Sequence, residues 1–158
     1  LVALHQTKGG VPKRMEEPVG KGFNPNYPNT VGTYFSGGAG LSSTIEDYAK
    51  FLQLFINKGE YNGVRLLSRK TIELMLTNQT QPPITMQFGL GFGLETSQND
   101  YQSILSSGSF SWGGAFNTHY WADPKEKLIG LIFTNMYSSP HWNIGDKFKV
   151  FTYQAIVD

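Results

Sequence analysis

From residue 41 onward the hydrophobic period changes several times, and each change marks an element. Ile45, Tyr48, Leu52 and Phe55 are spaced three and four apart, the period of an amphipathic helix. Ser43 and Glu46 have the spacing of a capping box, in which each side chain satisfies a free backbone N–H at the helix start. Lys58-Gly59 is a stop signal, so the spacing predicts a helix over 44–57. Asn62-Gly63 predicts a tight turn. Ser68 is placed to cap a second helix over 69–77, with Leu67 and Ile72 positioned as a hydrophobic staple.

Pro82-Pro83 then breaks the chain. Phe88, Leu90, Phe92 and Leu94 alternate with Gly89, Gly91 and Gly93, which predicts a strand over 87–95 with one apolar and one bare face. A second strand is expected over 109–122 and a turn at Asp123-Pro124. The apolar run at 128–133 predicts a third strand, over 127–134 and buried on both faces. Ile144, Phe148, Phe151 and Ala155 return to helical spacing, so the chain ends in an amphipathic helix.

Residues 1–40 differ. They are rich in Gly, Pro and Asn, as in Asn24-Pro25-Asn26-Tyr27-Pro28-Asn29, and read as irregular chain with short strands at most. Such an opening suits a surface excursion of a larger protein better than a free-standing domain. The expected organisation of 1–158 is therefore a portion of one α+β domain: 1–40 irregular, 41–80 helical, 85–158 sheet plus C-terminal helix. An antiparallel sheet carries the C-terminal helix, with the other two helices to one side.

Composition narrows the function classes. Of 158 residues, 39% are hydrophobic and 16% charged, the balance of a globular chain. The net charge of +1 and the lack of any Lys/Arg cluster give no support for nucleic-acid binding. Cys is absent, which excludes disulfides, thiolate metal sites and a Cys nucleophile. No apolar run approaches the roughly 18 residues of a membrane span. The sequence indicates no compartment. His5, His119 and His141 lack metal-ligand spacing, and no cofactor is implied. His119 alternates with Trp121 on one strand face, which leaves a ligand-facing role open.

Two stretches carry chemistry by resemblance. Gly37-Gly38-Ala39-Gly40-Leu41-Ser42-Ser43-Thr44-Ile45-Glu46-Asp47-Tyr48-Ala49-Lys50-Phe51 resembles a segment of the β-lactamase-related serine hydrolases. That superfamily comprises class C β-lactamases, penicillin-binding DD-peptidases and β-lactamase-like carboxylesterases. The stretches Gly59 to Ser68 and Leu74 to Gln79 are similar to its next segments. Gly108-Ser109-Phe110-Ser111-Trp112-Gly113-Gly114-Ala115-Phe116-Asn117-Thr118 resembles the active-site strand of the esterase-like members, and the likeness continues through Trp121-Ala122-Asp123-Pro124. Where lactamases carry Lys-Thr-Gly, this chain has Trp112-Gly113-Gly114.

The resemblance implies the C-terminal part of the serine β-lactamase/DD-peptidase-like fold and acyl transfer to water through an acyl-enzyme, on a small-molecule ester or amide. The superfamily's nucleophile lies in Ser-x-x-Lys, where the Lys amine takes the Ser proton. No Ser here is followed by Lys three positions on, so no catalytic residue is expected in this chain. Tyr27-Pro28-Asn29 matches the second motif, Tyr-x-Asn, in form, but the superfamily's Tyr lies well upstream of the Gly-Gly segment. Both motifs are expected in an N-terminal portion preceding Leu1.

The resemblance assigns this chain a pocket wall and part of the oxyanion hole. A backbone N–H near Ser111–Gly113 faces the oxyanion, Gly113 and Gly114 admit substrate to the backbone, and Trp112 shapes the rim. The missing Lys of Lys-Thr-Gly favours a carboxylesterase-like activity over a β-lactamase. The expected partners are the N-terminal portion or, through open sheet edges, a second copy. The alternative is a non-catalytic carbohydrate-binding module with Trp112, Tyr120 and Trp121 as a stacking platform.

Overall fold

The structure is a computed structural model and describes residues 1–16 and 24–157. The 17–23 part of the irregular opening lies outside the described residues. The opening contains a hairpin, β1 (His5–Lys8) and β2 (Val11–Arg14), turned by Gly9 and Gly10, both at positive φ. Helix α1 (Ile45–Ile56) follows, then a short hairpin of β3 (Glu60–Tyr61) and β4 (Val64–Arg65), and helix α2 (Arg69–Met75). The remainder forms strands β5 (Gly93–Leu94), β6 (Phe110–Gly114), β7 (Thr118–Asp123), β8 (Leu128–Ile132) and β9 (Met136–Tyr137), then helix α3 (Ile144–Gln154).

The main sheet has the order β5-β6-β7-β8, antiparallel throughout. Its pairings put Phe110, Trp112, Tyr120 and Ala122 on one face and Ser111, Gly113, His119 and Trp121 on the other. Helix α1 packs on the first face. Leu52 and Phe55, both buried, meet Phe92, Leu94, Phe110 and Tyr120 in the core, and Phe55 sits edge-on to Phe92 at 4.8 Å. Helix α3 packs on the second face through Gly145, Phe148 and Tyr153. The sheet is thus held between two helices, an α+β arrangement.

Local chemistry explains the ends of α1. The cap is Thr44, one residue later than the capping-box spacing predicts: its extended backbone lets Oγ1 accept from Asp47 N–H at 3.1 Å. At the other end Gly59 N–H bonds to Leu54 O and Lys58 N–H to Phe55 O, a Schellman arrangement with Lys58 at φ +56°. Asn62 and Gly63 both have positive φ, as the tight β3–β4 turn requires. Ser68 Oγ accepts from Thr71 N–H at 3.0 Å and caps α2, which ends at Met75, short of the expected 77.

Three expectations are corrected. The alternating segment 87–95 is a tight hairpin, not one strand. Phe88 bridges to Gly93, and Gly89 N–H bonds to Phe92 O across a turn whose Gly91 is at φ +99°. Gly89 is buried, and a Cβ there meets Met75 O at 2.2 Å, so the bare position admits the end of α2. Segment 109–122 is likewise two strands, joined by Ala115-Phe116-Asn117, with Asn117 at φ +61° and its N–H on Gly114 O at 2.9 Å. Finally, α3 buries a narrower face than its apolar spacing suggests: Gly145 is buried, whereas Phe151 is 68% exposed. Strand β9, which the sequence does not announce, pairs parallel with β1 and ties the opening hairpin to the far end of the chain.

Candidate functional site

Strand β6 carries Ser111, Trp112, Gly113 and Gly114. Its pairing with β7 runs the full length from Phe110↔Ala122 to Gly114↔Thr118. On its other side it pairs with β5 only at Gly93↔Ser111 and Leu94↔Phe110. Gly114 O faces β7, where it receives Asn117 N–H, whereas Ser109 O faces the β5 side, where it receives Glu95 N–H. Antiparallel alternation then turns the N–H and C=O of Gly113 toward the β5 side, two residues past the last pairing. Among the described residues, no strand occupies that position.

Two clefts meet at Ser111 and Trp112. One, of about 350 Å³, lies on the β5 side and is walled by Thr85, Met86, Gln87, Glu95 and Gln102 among others. The other, of about 220 Å³, lies between the β6–β7 hairpin and the first turns of α3, lined by Gly113, His119, Trp121, Gly145, Asp146 and Lys149. Trp112 is 47% exposed, and its ring is met edge-on by Phe88 at 4.8 Å.

The two glycines serve their own hairpin. A Cβ on Gly114 meets Thr118 Oγ1 at 2.5 Å, and one on Gly113 meets Thr118 O at 3.0 Å. The close approach at these positions is that of β7.

His119 does share a face with Trp121, and it lines the smaller cleft. Its Nε2 lies 2.8 Å from Asn117 Oδ1. Asn117 Nδ2 donates to His141 O, which leaves Oδ1 to accept, so Nε2 is assigned the proton and Nδ1, packed between Gly113 and Gly145, carries none. Burial pushes the imidazole pKa down; Asp146 opposes this and Lys149 reinforces it. His5 and His141 line neither cleft, and no group of three or more His, Asp or Glu among the described residues is placed to hold a metal. No helix among them is long and apolar enough to cross a membrane.

Glu95, which no local sequence pattern marks, is 8% exposed, and its Oε1 has no hydrogen-bond partner among the described residues. Desolvation raises its pKa, opposed by Ser103, supported by Asp100 and opposed by Lys149. Tyr27-Pro28-Asn29 forms an exposed 3-10 turn outside the lining of both clefts. Asn99 lines the larger cleft. Asn99, however, is committed to its own loop, accepting from Thr96 and donating to Leu94 O. The stacking platform does not exist as a surface: Trp121 is 1% and Tyr120 9% exposed, on opposite faces of the sheet.

The family described as Beta-lactamase matches residues 3–149. The protein Rv1367c of Mycobacterium tuberculosis is 30% identical over 117 residues, covering 65% of this chain and 29% of its own length. Among solved structures, EstCE1, a hydrolase with promiscuous acyltransferase activity, superposes with a TM-score of 0.73 at 18% identity, over 94% of this chain and 43% of that one. A LovD6 mutant of simvastatin synthase from Aspergillus terreus gives 0.71 at 21% identity, over 96% and 42%. The chain therefore spans less than half of the proteins it resembles.

Proposed function

The chain belongs to the β-lactamase family, and we propose that it forms the oxyanion-strand side and one pocket wall of an acyl-transfer site whose serine nucleophile lies elsewhere. The observation that carries this reading is the open edge of β6 at Gly113, beside two clefts that meet at Ser111 and Trp112. A backbone N–H held in a sheet and aimed at a cleft is preorganised to receive the charge that develops on a carbonyl oxygen under attack. Trp112 forms the rim, and the acyl group packs against its exposed ring face. The sequence contains no Ser-x-x-Lys, so on this reading the activating amine comes from outside the chain.

Esters are the favoured substrates. Trp112-Gly113-Gly114 offers no cation where Lys-Thr-Gly supplies one for a β-lactam carboxylate. EstCE1, similar in structure, is described as a hydrolase with promiscuous acyltransferase activity, in keeping with acyl transfer as the reaction. The binding-module alternative loses its aromatic platform to burial.

The test is amide NMR of the ¹⁵N-labelled chain titrated with methylphosphonate, a tetrahedral oxyanion mimic. The Gly113 amide is expected to shift downfield and Gly113→Pro, which has no N–H, to abolish the response. A Gly113 amide that does not respond overturns the assignment.

A further inference from the structure

The wall of the larger cleft is built by a loop that has no regular structure of its own. Residues 76–87 run from the end of α2 to the Phe88 hairpin, and Thr85, Met86 and Gln87 face Ser111 and Trp112 across the cleft. Asn78 closes that loop at its base. Its Oδ1 accepts from Phe88 N–H at 2.9 Å, from Thr80 Oγ1 at 2.7 Å and from Thr80 N–H at 3.2 Å, while its Nδ2 donates to Thr80 O at 3.1 Å. The next residue adds the reciprocal bond, Gln79 N–H to Phe88 O at 2.8 Å. Both backbone groups of Phe88 are therefore held by Asn78 and Gln79. Thr80 Oγ1 also lies 2.6 Å from Met86 O, so its single proton serves either that carbonyl or Asn78 Oδ1, and the middle of the wall sits beside the same clasp.

Phe88 is where this clasp reaches the candidate strand. Its ring meets the Trp112 ring edge-on at 4.8 Å. Gly93, below the same indole, presents no side chain, and a Cβ there meets the ring at 3.4 Å. Trp112 is half exposed and is not part of the buried core.

We infer that Asn78 is a positioning residue for this site: by holding the backbone of Phe88 it fixes the 85–88 wall and, through the Phe88 ring, the orientation of the Trp112 indole. The inference rests on the reading of Trp112 as the rim of the acyl site. A short amide side chain suits the task, because one oxygen gathers the backbone donors of Thr80 and Phe88 while the –NH₂ closes the turn onto Thr80 O. Alanine leaves Phe88 N–H and Thr80 N–H without their side-chain acceptor, so the loop base loosens. Aspartate keeps the acceptor for Phe88 N–H but sets a carboxylate oxygen, in place of the donor, against Thr80 O.

The experiment labels the chain with 5-fluorotryptophan and follows its three indoles by ¹⁹F NMR, with Trp112 assigned from Trp112→Phe. Asn78→Ala is expected to shift and broaden the Trp112 resonance alone, leaving Trp121 and Trp142 in place, and Asn78→Asp to restore it. Phe88→Leu, which keeps the backbone clasp and removes the ring, is expected to move the same single resonance. That variant carries the test if Asn78→Ala does not fold. A Trp112 signal unmoved in both Asn78→Ala and Phe88→Leu overturns the inference. So does a uniform change of all three indoles in Asn78→Ala, which marks a merely structural clasp. Failure of the oxyanion reading is read separately, from a Gly113 amide that ignores methylphosphonate while Trp112 behaves as expected.

Discussion

Tyr153 of α3 donates its hydroxyl to Asp123 Oδ2 at 2.6 Å, and that carboxylate, at the end of β7, has no exposed surface. Ser106 N–H reaches the same oxygen, while Lys125 and Glu126 N–H reach Oδ1 and close the β7–β8 turn. One side chain thus joins the C-terminal helix, the loop before β6 and a hairpin turn. Burial by itself raises the Asp123 pKa, but the hydrogen bonds from Tyr153, Ser106 and Glu126 outweigh it and hold the carboxyl below its ordinary value.

Loss of the Tyr153 hydroxyl in Tyr153→Phe is expected to cost about 2 kcal/mol, the range for a hydrogen bond to a charged group. Asp123→Ala strips several donors at once and is expected to cost about 4 kcal/mol. Because the folded-state pKa is depressed, this contribution is present above about pH 4 and is lost as pH falls through the lower folded value. Urea unfolding of the three proteins at pH 7 and pH 3 measures both effects; equal midpoints at pH 7 refute the anchor.

Glu95 has the opposite sign. Its folded pKa is raised, chiefly by desolvation with Asp100 adding, so its contribution is complete below about pH 4.3 and is lost as pH rises through the raised value. Glu95→Gln is expected to gain stability relative to the parent between pH 4 and pH 8. A difference that does not vary with pH in chemical denaturation contradicts this.

Gly130 makes room for the Trp121 indole: a Cβ at 130 falls 2.1 Å from the ring, which is itself buried. Gly130→Ala is expected to destabilise by about 1–3 kcal/mol through overpacking. Near-UV circular dichroism reports the displaced indole, and an unchanged melting temperature counts against it.

Without Ser-x-x-Lys, the isolated chain is expected to show no turnover of p-nitrophenyl esters or of a chromogenic cephalosporin above buffer. Serine hydrolases deprived of the nucleophile lose about 10⁶-fold in kcat. A fluorophosphonate probe completes the assay; stoichiometric labelling of any Ser in 1–158 locates a nucleophile that the motif search does not find.

The outer edge of β8 has no strand partner among the described residues, and Val31, Phe35, Leu41 and Phe151 are exposed apolar side chains. Open edges and apolar surface favour association. The chain is expected to self-associate, or to be held by a second chain supplying the rest of the fold. Light scattering after size exclusion at micromolar concentration decides; a stable monomer with cooperative unfolding rejects it.

Local rules alone determined a good part of this protein. The Schellman end of α1, the Asn62-Gly63 turn, the Ser68 cap and the antiparallel β7–β8 pair each depend on residues close in sequence. The likeness of Trp112-Gly113-Gly114 to the superfamily's active-site strand, rather than any local rule, pointed to β6 as the strand of interest. Tertiary structure decided the rest. Gly89, Gly91 and Gly93 read as one bare strand face until Met75 O and the Trp112 ring occupy the space and Gly91 turns the chain. Strand 109–122 folds back at Asn117 because His119, His141 and Thr134 hold the turn from positions up to 24 residues away. Asn78 and Glu95 carry no local signal, because their roles arise from groups brought together across the loop and across the sheet. Hydrogen bonds near in sequence leave a pattern in the residues that make them, whereas bonds between distant segments leave none until the backbone has closed on itself.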